Sequence, residues 1–189
     1  NVEWLRDDLG IIATAEESEA LAASCSDAGG VVYVPAPLGL GTPRWDYGAR
    51  GTLLGITRGT GRAELARAVL EGVAQRGADL VDAARIDTEL PIERLRIDGG
   101  MSVNTVFVQA LADATQLPVE VSPEREATTL GAGFLAGLAV GTWAGWDDIA
   151  ATWSPSRVVE PAGALDRDRW REALDRAAAW YPDLSAISF

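Results

Sequence analysis

Apolar side chains recur at helical spacing from about Arg62 to Asp87, with Leu65, Val69, Val73, Leu80 and Ala84 on one face, and predict a long helix there. Shorter periodic runs predict helices from Trp4 through Leu9 to about Ile12, over 102–115, over 127–140 and over 167–181. Thr14-Ala-Glu-Glu17 matches a capping box, in which Thr and Glu satisfy each other's free backbone N–H groups; it predicts a further helix carrying Leu21, Ala22 and Cys25. The β-branched and aromatic run Val31-Val-Tyr-Val34 predicts a buried strand closed by Pro35 and Pro37. Leu53 to Thr57, residues 94–98 and Val119-Glu-Val121 predict three more. Strands alternating with helices predict one layered α/β domain over residues 1–189, with no internal repeat and no linker.

Composition narrows the chemistry. A chain of 189 residues, 48% apolar and 23% charged, can bury roughly 70% of its unfolded surface. A net charge of −12 argues against nucleic acid and anionic membrane surfaces as partners. All 16 basic residues are arginine, and there is no lysine or histidine. The chain alone therefore cannot use a His general base, a Schiff-base lysine, a Walker lysine or a His-ligated metal. One cysteine, Cys25, rules out an internal disulfide and a Cys-cluster metal site, and it reads as a core residue. The most apolar stretch, Leu130 to Val140, is too short to span a bilayer, which predicts a reduced, cytoplasmic setting. Asn1-Val-Glu-Trp-Leu5 reads as the inside of an amphipathic helix, so the chain is expected to be a piece of a longer protein.

The candidate site is Leu95-Arg-Ile-Asp-Gly-Gly-Met-Ser-Val-Asn104. A strand ends in Asp98-Gly99-Gly100, and Ser102 is the expected N-cap of the helix that follows. A flat ligand can approach a glycine backbone more closely than any other residue allows. Asn104 offers both a donor and an acceptor. The segment has neither P-loop lysine nor G-x-G-x-x-G spacing, and taken alone it is a turn. Ile97 is expected in a central strand, with the glycines beyond its C-terminal end, where open α/β sheets bind ligands. Elsewhere, Trp45, Asp46 and Arg50 read as loop packing with an Asp46–Arg50 salt bridge. Arg58 and Arg62 could face phosphates or solvent. Gly133, Gly137 and Gly141 recur every four residues and predict close packing.

Gly51, Leu53, Gly55 and Ile56, then after a gap Glu64, Leu65, Ala68, Val69, Leu70 and Glu71, fill every position of a signature that resembles that of the FGGY carbohydrate kinases. Trp4-Leu-Arg-Asp7, Gly39-Leu-Gly-Thr-Pro-Arg-Trp-Asp46, Ala49-Arg-Gly51, Arg125-Glu-Ala-Thr128 and Gly131 to Gly141 are similar to the glycerol kinase branch of that family. The resemblance covers essentially the whole chain. It implies part of the C-terminal domain of such a kinase, with an actin-like, ribonuclease H-like fold, a mixed sheet flanked by helices, and its opening strands before Asn1. It further implies ATP with Mg²⁺ as cofactor, with Gly100 and Asn104 holding adenosine, Gly99 shaping the turn and no metal ligand in this chain. Glu3 stands where the family usually has Gln against the nucleotide, and an acid there adds negative charge beside a polyanion. The catalytic Asp, the first phosphate loop and the polyol residues are expected upstream, the parent enzyme is expected to be a homo-oligomer, and the fragment is expected to be inactive alone. A sibling kinase for a pentulose or another sugar, sugar acid or polyol, and a non-catalytic actin-like nucleotide-binding module, stay open as alternatives.

Overall fold

The computed structural model describes residues 1–186; positions 187–189 of the expected domain lie outside the described residues. The first helix, α1 (Val2–Asp7), stops well short of Ile12 because Gly10 turns the chain at φ +59°. Ile11 and Ile12 are nevertheless buried, and the Arg62 guanidinium donates to the Ile11 carbonyl. Arg62 is thereby a structural anchor. Helix α2 (Glu17–Ala23) forms without the expected capping box. Glu17 is its first residue, too early to serve as the box's acid at the third helical position, and its carboxylate accepts from the Ala13 N–H at 2.7 Å instead.

Strands β1 (Val32–Val34) and β2 (Thr52–Leu54) pair antiparallel, with Tyr33 opposite Leu53. β2 ends before Thr57 because Gly55 takes φ +81°. Helix α3 (Arg62–Thr88) is the 27-residue helix expected from its periodicity; Glu64 accepts from the Gly61 N–H at 2.8 Å at its start. Its burial is not confined to one face. Ala66, Leu70, Ala74 and Asp79 are buried while Leu80 is 49% exposed, because α3 is enclosed on several sides by α2, β1 and the helix that follows.

Next come β3 (Leu95–Ile97), a 3₁₀ turn (Gly100–Val103), α4 (Thr105–Thr115) and β4 (Val119–Val121). Helices α5 (Ala127–Ala139) and α6 (Trp146–Ala150), β5 (Arg157–Val159), α7 (Arg167–Ala177) and α8 (Pro182–Ser185) complete the described chain. β3 is parallel to β4, and β4 antiparallel to β5, which gives a mixed sheet in the order β3-β4-β5. Ile97 therefore lies in an edge strand of the described sheet, and β4 is central. Glu120 of this central strand is buried. It is accommodated because Arg94, Arg96 and the Trp153 indole all donate to the Glu120 carboxylate, at 2.8, 3.0 and 3.0 Å.

The core has one part under α1, α2 and α3, one between β1 and α7, and one between α3, α4 and β4. Buried Trp170 ties α7 to α3 through its indole N–H and the Asp79 carboxylate, which also takes Arg76 and Arg167. In α5 no side chain is buried, and only Gly137 has a close neighbour, Trp143; an added Cβ at Gly133 or Gly141 meets nothing within 4 Å. Close packing along all three glycines is thus not what the described residues show. No described helix is long and apolar enough to cross a membrane.

The loop around Trp45 is packed, but not by the expected salt bridge. Asp46 accepts from the N–H groups of Gly48, Ala49 and Ala179 and from the Ser185 hydroxyl, while Arg50 donates to the Tyr47 and Ala49 carbonyls and lies 4.5 Å from the Tyr181 ring centre. Partial burial pushes the Asp46 carboxyl up, but the Ser185 hydroxyl and those three N–H donors outweigh it and hold it below the ordinary aspartate value. A depressed carboxyl contributes stability that is present above the unfolded value and lost as pH falls through the folded one. Asp46→Asn should therefore lower Tm at about pH 7, and the gap to the parent should close towards about pH 3. Thermal melts at the two pH values check this.

Candidate functional site

The Asp98-Gly99-Gly100 turn leaves the C-terminal end of β3, as expected of a ligand site in an α/β sheet. Gly99 takes φ +85°, ψ −178°, a conformation essentially reserved for glycine. The turn is held on both sides. Gly99 N–H donates to the Arg125 carbonyl at 3.2 Å, and Asp98 accepts from Ala127 N–H at 3.2 Å, so the turn is stapled to the start of α5. The Ser102 hydroxyl donates to the Gly99 carbonyl at 2.7 Å, and Arg157 of β5 donates to the Ser102 carbonyl at 2.9 Å.

Ser102 is thus inside the 3₁₀ turn and does not cap α4. Asn104 does: its side-chain oxygen accepts from the Phe107 N–H at 3.0 Å. Its amide nitrogen donates to the Ser18 hydroxyl at 3.1 Å, and both residues are buried. An Asn amide has two N–H groups and two acceptor sites, so one of each is left over.

A cavity of about 480 Å³ opens between α1, α2 and this turn, and Glu3, Ser18, Gly100 and Asn104 all line it. Val73 of α3 and Met101 supply apolar lining, the setting that suits a flat base. A Cβ added at Gly99 or Gly100 would meet no atom within 4 Å, so both glycines border open space. α1 is anchored on the far side, where Trp4 stacks on Tyr33 at 5.7 Å and the Tyr33 hydroxyl donates to the Asn1 side chain at 2.8 Å. That anchoring presents Glu3, an exposed acid, to the cavity. Arg6 and Arg125 are at the same cavity, whereas Arg58 and Arg62 do not line it. Among the described residues no group of three or more His, Cys, Asp or Glu could hold a metal ion.

Three of the residues picked from the sequence, Gly100, Asn104 and Glu3, thus meet at one cavity. Ser18 was missed. Its signal was present: four residues before Ala22, it is a polar residue at helical spacing with an apolar position, and these two are the buried residues of α2. The signature acids are structural, since Glu64 caps α3 and Glu71 pairs with Arg67 at 2.8 Å. So is Gly55, where an added Cβ would lie 2.3 Å from the Gly30 carbonyl oxygen.

The sequence profile of the FGGY family of carbohydrate kinases, C-terminal domain, matches residues 1–140. The chain belongs to the FGGY family of carbohydrate kinases. Within that family it is 50% identical to the glycerol kinase of Aromatoleum aromaticum over 184 residues, 95% of this chain and 37% of that protein. A crystal structure of Plasmodium falciparum glycerol kinase with ADP superposes with a TM-score of 0.78 at 31% identity, covering 100% of this chain and 37% of that one. The xylulose kinase of Rhodospirillum rubrum superposes with a TM-score of 0.74 at 29% identity, covering 93% and 36%. This FGGY chain, with the actin-like fold of its relatives, spans little more than a third of their length.

Proposed function

We propose that residues 1–189 form the nucleotide-binding part of the C-terminal domain of a glycerol kinase, whose whole reaction is MgATP plus glycerol giving ADP and glycerol 3-phosphate. The observation that carries this reading is the meeting of Gly100, Asn104 and Glu3 at one cavity beyond the end of β3. Two comparisons support it: 50% identity to a glycerol kinase, and likeness to a glycerol kinase solved with ADP. In this reading the Gly99–Gly100 backbone lets the adenine approach, and Asn104 offers its spare donor and acceptor to the adenosine. Bound MgATP supplies the phosphoryl group, and Mg²⁺ arrives with the nucleotide. Phosphoryl transfer depends on positioning and charge neutralisation, and both need groups beyond an adenosine wall. The catalytic carboxylate and the polyol site are therefore assigned to the remainder of the kinase, which we place in the cytoplasm as a homo-oligomer. The chain alone should show no glycerol-dependent ATP turnover.

The test is calorimetric titration of the full-length kinase with ADP, together with phosphorylation assays on glycerol and on xylulose. Saturable ADP binding and turnover on glycerol support the reading. Turnover on xylulose alone would make the chain part of a pentulose kinase, and ADP binding without turnover on any polyol would make it a nucleotide-gated module.

Glu3 gives a sharper check. A unit charge roughly 8 Å from another in water is worth about 0.5 kcal/mol, and an acid beside a polyphosphate opposes its binding. Glu3→Gln should tighten ATP binding about two- to fourfold at low salt, with the gain shrinking as ionic strength rises. An unchanged or weaker affinity places Glu3 outside the nucleotide's field.

A further inference from the structure

Ser18 is 1% exposed, lies on α2 and has no role in the proposed chemistry so far. Its hydroxyl hydrogen is committed, donating to the Ala15 carbonyl at 2.6 Å. The oxygen can therefore only accept from Asn104, 3.1 Å away, and only the NH₂ end of that amide can face it. At the other end the Phe107 N–H requires an acceptor, and Asn104 presents its oxygen at 3.0 Å. Two independent constraints select the same orientation of one amide. Together they fix the direction of the remaining N–H and lone pair of a residue that lines the cavity.

We propose that Ser18 is a positioning residue of the nucleotide site, which holds the Asn104 amide in the one orientation that aims a donor and an acceptor at adenosine. This rests on the nucleotide reading above. α2 is joined to the start of α4 a second time, by Thr105 and the Glu19 carboxylate, and that pair leaves the amide untouched. Nature has thus supplied an internal control, one contact that tethers α2 and one that also orients Asn104.

Ser18→Ala removes the acceptor, leaves Asn104 with the cap alone, and lets the amide rock. A lost or misaligned hydrogen bond changes affinity by about three- to tenfold. In the full-length kinase, Ser18→Ala should weaken ADP binding and raise the KM for ATP by about that factor, with kcat and the polyol KM within about twofold of the parent. Thr105→Ala should leave ADP affinity within about twofold. Thermal melts accompany both variants. Equal weakening by the two would mean that α2 only needs to be tethered, and Ser18→Ala binding ADP like the parent would mean that the amide needs no guide. Either outcome overturns the proposal. If the parent itself binds no ADP, the nucleotide reading fails first, and the two failures are told apart by that one titration.

Discussion

Gly72→Ala should cost this chain about 2–3 kcal/mol, or a fall of roughly 5–10 °C in Tm, although alanine is the better helix former. Gly72 sits inside α3 where the helix meets β1, and a Cβ there would lie 2.1 Å from the Tyr33 carbonyl oxygen and 3.1 Å from its carbon. The obstacle is strand backbone, which pairs across to Leu53 and cannot step aside without disturbing β2. Helix propensity favours alanine by about 1 kcal/mol, so the expected loss is what overpacking leaves after that gain. Two other glycines separate the terms. At Gly77 the added Cβ would lie 2.8 Å from the end of the Leu111 side chain, which can turn away, so Gly77→Ala should be nearly neutral. At Gly133, inside α5, nothing lies within 4 Å, and Gly133→Ala should stabilise by about 0.5–1 kcal/mol. Three identical substitutions should thus give a loss, almost no change and a gain in thermal melts. A Gly72→Ala protein as stable as the parent would mean that α3 and β1 are not in contact as described.

Local features were legible from the sequence where one short run decides them. The four elements with the clearest periodicity or β-branching, α3, α4, β1 and β3, appear within a few residues of their expected spans. The Asp-Gly-Gly turn at the end of β3 could be read because φ +85° at Gly99 leaves almost no other residue eligible. What could not be read depends on partners distant in sequence. The capping box at Thr14 matched by residue type, yet Glu17 found the Ala13 N–H first. Ser102 and Asn104 are both good caps; Ser102 turns to the Gly99 carbonyl, and Asn104 caps α4 while its amide also reaches Ser18, 86 residues away. Leu80 reads as core from its spacing but faces outward, because α3 has neighbours on several sides and buries whichever small residues meet them. The network of Asp79, Arg76, Arg167 and Trp170 would look like solvated charge in any local reading. The candidate site followed the same division: its glycines were visible in the chain, and its second wall on α2 was not.

Gly100→Val in the full-length kinase should weaken ADP and ATP binding by at least about tenfold, more than any other single change at the cavity. The argument depends on which glycine is chosen. Gly99 holds a left-handed φ, so any side chain there strains the turn itself, and a loss of binding would say nothing about a ligand. Gly100 has no such φ, and its added Cβ meets nothing within 4 Å, so the chain tolerates the valine and only an incoming base collides with it. Asn104→Ala is a poorer probe. Losing the cap of α4 costs about 0.5–2 kcal/mol of stability, besides the roughly 0.5–1.5 kcal/mol expected of a contact to adenosine. The Gly100 series avoids this mixture. Alanine should weaken binding less than valine, the KM for the polyol should stay put, and Tm should hold within about 2 °C of the parent. Circular dichroism and melting establish that the variants are folded, and ADP titration supplies the answer. If folded Gly100→Val binds ADP as the parent does, the turn beyond β3 is a turn only, and the adenosine must sit elsewhere.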